Sequence, residues 1–176
     1  MRSVFISATT RGFAELRSTI FQIVRSQGID PLEQKDLTPE AGPVRAEIEE
    51  KISRATGVIS LVGPFYGFPM GPPPAEGRAR LSYTQHEFRY ASTKKKQMLI
   101  YIIEDSFFEP DLLAEGHRQE AAQNLPDARH FRNWQNEFRQ VITGETDKYG
   151  WVSIPSKEAL FTRLARIDWN LWPDER

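Results

Sequence analysis

At 176 residues, 39% of them hydrophobic and 27% charged, the chain suffices for one domain with its own core and is a tight fit for two. Its 23 Lys and Arg offset 24 Asp and Glu to a formal charge of -1, so no basic surplus points to direct nucleic-acid binding or to an anionic membrane surface. The absence of cysteine excludes disulfides, thiolate metal sites and a cysteine nucleophile, and fits a reducing, cytoplasmic compartment.

Taken in chain order, Met1-Arg2-Ser3 leads directly into an apolar run, Val4 to Ala8, with no signal-peptide core before it. That run predicts a first buried strand, and nowhere does an apolar stretch approach the roughly 20 residues of a membrane helix. After Thr9-Thr10, which can cap, Phe13, Leu16, Ile20, Ile23 and Val24 recur at helical spacing. Ile29 to Glu33 predicts a weaker second strand after Gln27-Gly28. Pro43, Val44, Ile48, Ile52 and Ala55 predict a second helix with proline in its first turn. Val58 to Val62 is a third strand, apolar without alternation and therefore covered on both faces.

A long connection, Gly63 to Leu81, carries Phe65, Tyr66 and Phe68 before Pro72-Pro73-Pro74. Ser82 and Gln85 form a capping-box pattern for the next helix, which ends in Lys94-Lys95-Lys96, a run suited to a helix C-terminus. Met98 to Ile103 is the fourth strand. Helical matter follows between Asp105 and Ala128, with Gly116 and Pro126 as interruptions. Phe131, Trp134, Phe138, Val141 and Ile142 mark a helix to Gly144, Gly150 to Ile154 a fifth strand, and Leu160, Leu164, Ile167 and Leu171 a final helix after Ser156. Residues 1–176 thus read as one α/β domain, a flavodoxin-like three-layer α/β/α fold whose five-stranded parallel sheet has the order 2-1-3-4-5.

In that order ligands bind outside the carboxyl ends of strands one and three. Two loops meet there. Ser7-Ala8-Thr9-Thr10-Arg11-Gly12 offers hydroxyls and a guanidinium for a phosphate or carboxylate, although the same residues also read as a helix cap and a surface charge. It lacks the glycines of a dinucleotide or P-loop motif. The Gly63 to Leu81 loop offers aromatic walls for a flat ring, or a cover for the sheet edge.

The carboxylate of interest is Glu87, in the second turn after Ser82, with Tyr83, Thr84, Tyr90 and Ala91 as its helical neighbours. This flank is largely uncharged, whereas His86, Arg89 and Lys96 are expected to face solvent. Glu87 is then either partly desolvated for chemistry or a dipole-favoured acid paired with Arg89 or Arg11. His86, His117 and His130 have no metal-ligand spacing, so no metal is expected, and no Gly-x-Ser-x-Gly elbow is present.

Taken together, Ser3-Val-Phe-Ile-Ser-Ala-Thr9, Gly28-Ile-Asp-Pro31, Ala55-Thr-Gly-Val-Ile-Ser-Leu-Val-Gly63, Phe65-Tyr-Gly67 and Ser82-Tyr-Thr-Gln-His-Glu-Phe-Arg-Tyr-Ala91 resemble a particular family. It is the TIR-like domain of unknown function that heads bacterial signalling NTPases of the STAND type, a distant relative of TIR domains and nucleoside deoxyribosyltransferases. The resemblance implies an effector in signalling or antiviral defence that hydrolyses the N-glycosidic bond of NAD, as substrate rather than cofactor, or of a related nucleotide. By motif it puts the catalytic glutamate at Glu87. Ser7, Thr9, Thr10 and Arg11 would hold ribose or phosphate oxygens, Tyr66 would stack on a ring, and Ser82 and Tyr83 would orient the ribose. It further implies activation by self-association through Leu37 to Val44 and the following helix, or by a STAND-type NTPase or sensor partner. Two other functions stay open: a catalytically silent interaction module, and a nucleoside hydrolase or deoxyribosyltransferase-like enzyme on a smaller substrate.

Overall fold

The computed structural model describes residues 2–33, 44–73, 75 and 78–172. Its sheet is five-stranded, with every pair parallel and the order β2-β1-β3-β4-β5. The strands are β1 (Ser3–Ala8), β2 (Asp30–Leu32), β3 (Gly57–Val62), β4 (Gln97–Ile103) and β5 (Trp151–Ile154). All of β3 is buried, as its unalternating sequence requires of a central parallel strand. The chain runs from β1 outward to β2 and then returns past β1 to β3, so the order reverses between β1 and β3.

The helices are α1 (Thr10–Phe13), α2 (Arg17–Ser26), α3 (Val44–Arg54), α4 (Tyr83–Thr93), α5 (Pro110–Ala121), α6 (Phe131–Gly144) and α7 (Lys157–Ala165). On one face, Ile20 and Val24 of α2 and Leu160 and Leu164 of α7 pack on Val4, Ile6, Ile59 and Leu61. On the other, Ile48 and Ile52 of α3 and Ala91 of α4 cover Phe5 and Val58, while Phe88, Phe138 and Ile142 cover Ile100 and Ile102. Alternate residues along each strand feed the two layers, the period of two that a pleated strand imposes.

Several expectations are corrected. The first helix is not continuous from Thr10: Arg11 and Gly12 are non-helical, Gly12 sits at φ 87°, and the regular helix starts at Arg17. A side chain at Gly12 would also meet the Phe108 ring at 2.9 Å, so turn and packing both require glycine there. Gly116 lies within α5 rather than interrupting it. The final helix stops at Ala165, leaving Ile167 outside it and Leu171 74% exposed. Val141 is an exposed position of α6. His86 is buried, because Glu49 of α3 reaches its Nε2 at 2.9 Å. Lys96 donates to the carbonyls of Ser53 and Ala55, tying the end of α4 to the end of α3. Pro43, and Leu37 to Pro43 of the expected association loop, lie outside the described residues.

Candidate functional site

α4 begins with the capping box its sequence announces: the Ser82 hydroxyl accepts from the Gln85 amide at 3.2 Å and the Gln85 side chain accepts from the Ser82 amide at 3.3 Å. Such a cap contributes about 1 kcal/mol and sets the helix phase. The Gln85 side chain also donates to Gln135 at 3.0 Å, and Gln135 donates in turn to the Gly63 carbonyl at 2.7 Å. Helix, α6 and the start of the β3–α4 loop are thereby locked together.

With that phase fixed, Glu87 points into the sheet and is 2% exposed. The Ser7 hydroxyl at the carboxyl end of β1 donates to its Oε2 at 2.5 Å. Burial pushes the carboxyl up to about 8, against smaller downward pulls from the Ser7 hydroxyl and the Arg17 charge. Ser60 stands opposite Ser7 in the β1–β3 register, and its buried hydroxyl has no hydrogen-bond partner among the described residues. Parallel register neighbours project to the same face, so a spare hydroxyl lies one strand over from the Ser7–Glu87 pair. Replacing Ser7 by alanine should move the Glu87 titration to higher pH, since a bond that favours the charged form is lost. NMR of the isotope-labelled Glu87 carboxyl carbon measures that shift directly.

The other candidate residues separate. Thr9 is buried, donates its hydroxyl to the Arg11 carbonyl at 2.8 Å, and sets its methyl carbon 3.1 Å from where a Gly67 Cβ would stand. Thr10 is exposed, and the half-buried Arg11 donates to Gln119 of α5 at 2.6 Å. Tyr66 is fully buried: its ring stacks on Phe131 at 4.4 Å and its hydroxyl donates to the Arg80 carbonyl, so burial raises the phenol. Ser82 serves the helix cap, and Tyr83 packs against the cluster of Phe5, Ile48 and Val58. Ser7 and Glu87 therefore meet at the β1–β3 edge, with Thr9 and Arg11 in the loop that leaves β1, while Tyr66, Ser82 and Tyr83 are taken up by packing and by the helix cap.

Three participants were not anticipated. Arg17 bonds the Ala8 carbonyl at 3.4 Å and Glu33 at 3.3 Å, placing its charge near Glu87. His117 and Glu120 come from α5, which crosses the same edge. His117 packs on Phe65 at 5.2 Å between ring centroids, and Glu120 accepts from the Gly67 amide at 3.0 Å. Gly116 beside them permits the approach, since a Cβ there would lie 2.4 Å from the Phe65 ring. The usable signal was the pair Gly116 and Glu120, one helical turn apart on a single face. A cavity of about 500 Å³ lined by Gln97, Tyr101, Arg163 and Trp172 lies by the amino-terminal half of β4 and contains none of these residues.

This is a parallel α/β domain of flavodoxin-like order with a buried carboxylate at its switch point. Residues 3–154 match the domain of unknown function DUF4062, and the chain belongs to that family. Among solved structures it is similar to the CMP N-glycosidase BcmB of Clostridium botulinum, with a TM-score of 0.46 and 12% identity over 93% of this chain and 97% of that one. No curated protein matches it. Among the described residues no helix is long and apolar enough to cross a membrane.

Proposed function

We propose that this domain hydrolyses the N-glycosidic bond of NAD or a related nucleotide, with Glu87 as the catalytic carboxylate. The observation that carries the reading is a desolvated glutamate held by Ser7 at the carboxyl end of β1, the place where open parallel sheets bind ligands. The resemblance of the Ser82 to Ala91 segment to glutamate-bearing TIR-like helices supports the same residue.

Nicotinamide is bonded to ribose as a pyridinium. When the C1′–N bond breaks, its electron pair moves to the ring nitrogen and nicotinamide departs neutral, with no proton needed from a general acid. Positive charge develops at C1′, where ionised Glu87 stabilises it or bonds to it. Water then adds to C1′ and its proton passes to Glu87 and on to solvent, giving ADP-ribose, nicotinamide and one proton. A cationic ring beside Glu87 lowers its pKa, so substrate itself favours the reactive ionised form. Arg11 and Thr10 bind phosphate or ribose oxygens in this scheme, and Ser7 is a positioning residue.

Because Glu87 is 2% exposed, productive binding needs an opening, which self-association or a signalling partner would favour. The test is nicotinamide release from NAD by the full chain, free and artificially clustered, comparing wild type with Glu87→Ala and Glu87→Gln. Release by wild type and its loss in both variants are expected. Cleavage undiminished by either substitution would remove Glu87 from the mechanism. No release even when clustered would instead leave an interaction module or a smaller nucleoside as substrate.

A further inference from the structure

α5 is held in an unusual way for a helix of 12 residues: its buried positions are Gly116 and Glu120, and it buries no apolar side chain. Leu112 is 66% exposed and Leu113 only half-buried. Burial of an apolar stripe is what ordinarily keeps a helix docked. Here polar contacts to the two switch-point loops take over much of that role, Gln119 to Arg11 at 2.6 Å and Glu120 to the Gly67 amide at 3.0 Å.

Those contacts are poorly matched. Glu120 is 2% exposed, yet among the described residues its second oxygen has no hydrogen-bond partner, and neither has His117 Nδ1, which lies 3.9 Å away, too far for a hydrogen bond. Arg11, for its part, makes no ion pair within 4.0 Å among the described residues: it donates to the neutral Gln119 amide oxygen and acts on the Glu120 carboxyl only through its longer-range charge. What the loops present is a set of donors: the Gly67 amide in a left-handed turn at φ 83°, and the Arg11 guanidinium across from it. Backbone amides in such turns, together with arginine, suit a tetrahedral polyanion better than one side-chain carboxylate with an idle oxygen.

We propose that α5 is a built-in stand-in for ligand: Gln119 and Glu120 occupy a phosphate subsite formed by Arg11 and the Gly67 amide, and a nucleotide phosphate takes that subsite by lifting α5. The proposal rests on the reading of this edge as a nucleotide site. It makes the resting state self-inhibited and couples phosphate binding to uncovering the β1–β3 edge. The apolar contact to be broken is confined to Gly116 and His117 against Phe65 and to the half-buried Leu113, since α5 buries no large apolar side chain.

Inorganic pyrophosphate, which has no glycosidic bond, is the probe, with calorimetry for binding and hydrogen exchange for α5. In wild type, pyrophosphate should speed exchange of amides 110–121 several-fold. Glu120→Gln, which keeps the side-chain volume and removes the charge, and Gln119→Ala, an exposed substitution, should each bind pyrophosphate about 10-fold more tightly. Arg11→Ala should lose binding. Pyrophosphate failing to bind wild type and Glu120→Gln alike, or binding with α5 exchange unchanged, would overturn the proposal. So would weaker binding by a Glu120→Gln protein of native circular dichroism. NAD cleavage plays no part in these readouts. Displacement of α5 without nicotinamide release removes the hydrolase reading alone, and release without displacement removes the stand-in alone.

Discussion

Glu87→Gln should cost on the order of 10³-fold or more in nicotinamide release and, at alkaline pH, make the protein more stable than wild type. Both effects arise from one carboxyl lifted by burial from an ordinary 4.5 to about 8. For an acid raised in the folded state the sign is unfavourable. Below pH 4.5 the group is protonated in both states and carries no ionisation penalty. Between 4.5 and 8 the unfolded chain releases its proton while the folded chain keeps it, so stability falls as pH rises; above about 8 the penalty is complete. Glutamine removes that slope. The difference in unfolding free energy, variant minus wild type, should therefore grow with pH to a few kcal/mol and then level off. Taking the difference cancels His86 and His117, both lowered by burial and both weakening the fold toward acid. The rate carries the complementary signature. With ionised Glu87 as the active form, kcat/KM should rise with pH up to about 8, and kcat should rise earlier because the bound pyridinium favours ionisation. A difference in stability independent of pH would mean that Glu87 is not the titrating group.

The inward placement of Glu87 was legible because helical spacing reports which face a residue occupies. Once Ser82 and Gln85 fix the phase of α4, the uncharged neighbours Tyr83, Thr84, Tyr90 and Ala91 mark the side that turns inward. The three central strands were legible for a related reason, since runs such as Gly57–Val62 have no polar face to offer solvent, whereas β2 and β5, half-exposed at the sheet edges, were marked mainly by the turn residues Gln27-Gly28 and Pro155 beside them. Spacing does not say what a distant element will bring to that face. His86 looked solvent-directed until α3 delivered Glu49, and Tyr66, readable as a wall for a flat ring or as a cover for the sheet edge, is claimed by Phe131, which stacks on it. The break at Arg11 and Gly12 escaped notice because apolar residues continue at helical steps through a turn that packing against Phe65 and Phe108 shapes. α5 was hardest to read, because a helix docked through a glycine and a glutamate leaves no apolar stripe.

Arg80→Ala should destabilise the fold by about 3–5 kcal/mol, a large share of the 5–15 kcal/mol typical of a domain. Arg80 is 6% exposed, and its guanidinium donates to Asp127 and to the Gly71 carbonyl, each at 2.6 Å. Its own carbonyl receives the Tyr66 hydroxyl. One side chain thus ties the end of the β3–α4 loop to its middle and to the turn before α6. Removing it strands the Asp127 carboxyl, 12% exposed and with one oxygen already lacking a hydrogen-bond partner among the described residues. That uncompensated charge, more than the lost attraction, makes the single substitution costly. Replacing Arg80 by methionine and Asp127 by leucine together should recover much of the loss, because no charge then remains buried alone. Lysine at position 80 should not, since a single ammonium cannot reproduce the fork that meets both acceptors. Denaturant unfolding of the two single variants and the double variant completes the cycle, and a loss below about 1 kcal/mol in Arg80→Ala would show the pair to be marginal. Activity should fall further than stability alone predicts, because the same loop carries Gly67 at the switch point and delivers Ser82 to the start of the Glu87 helix.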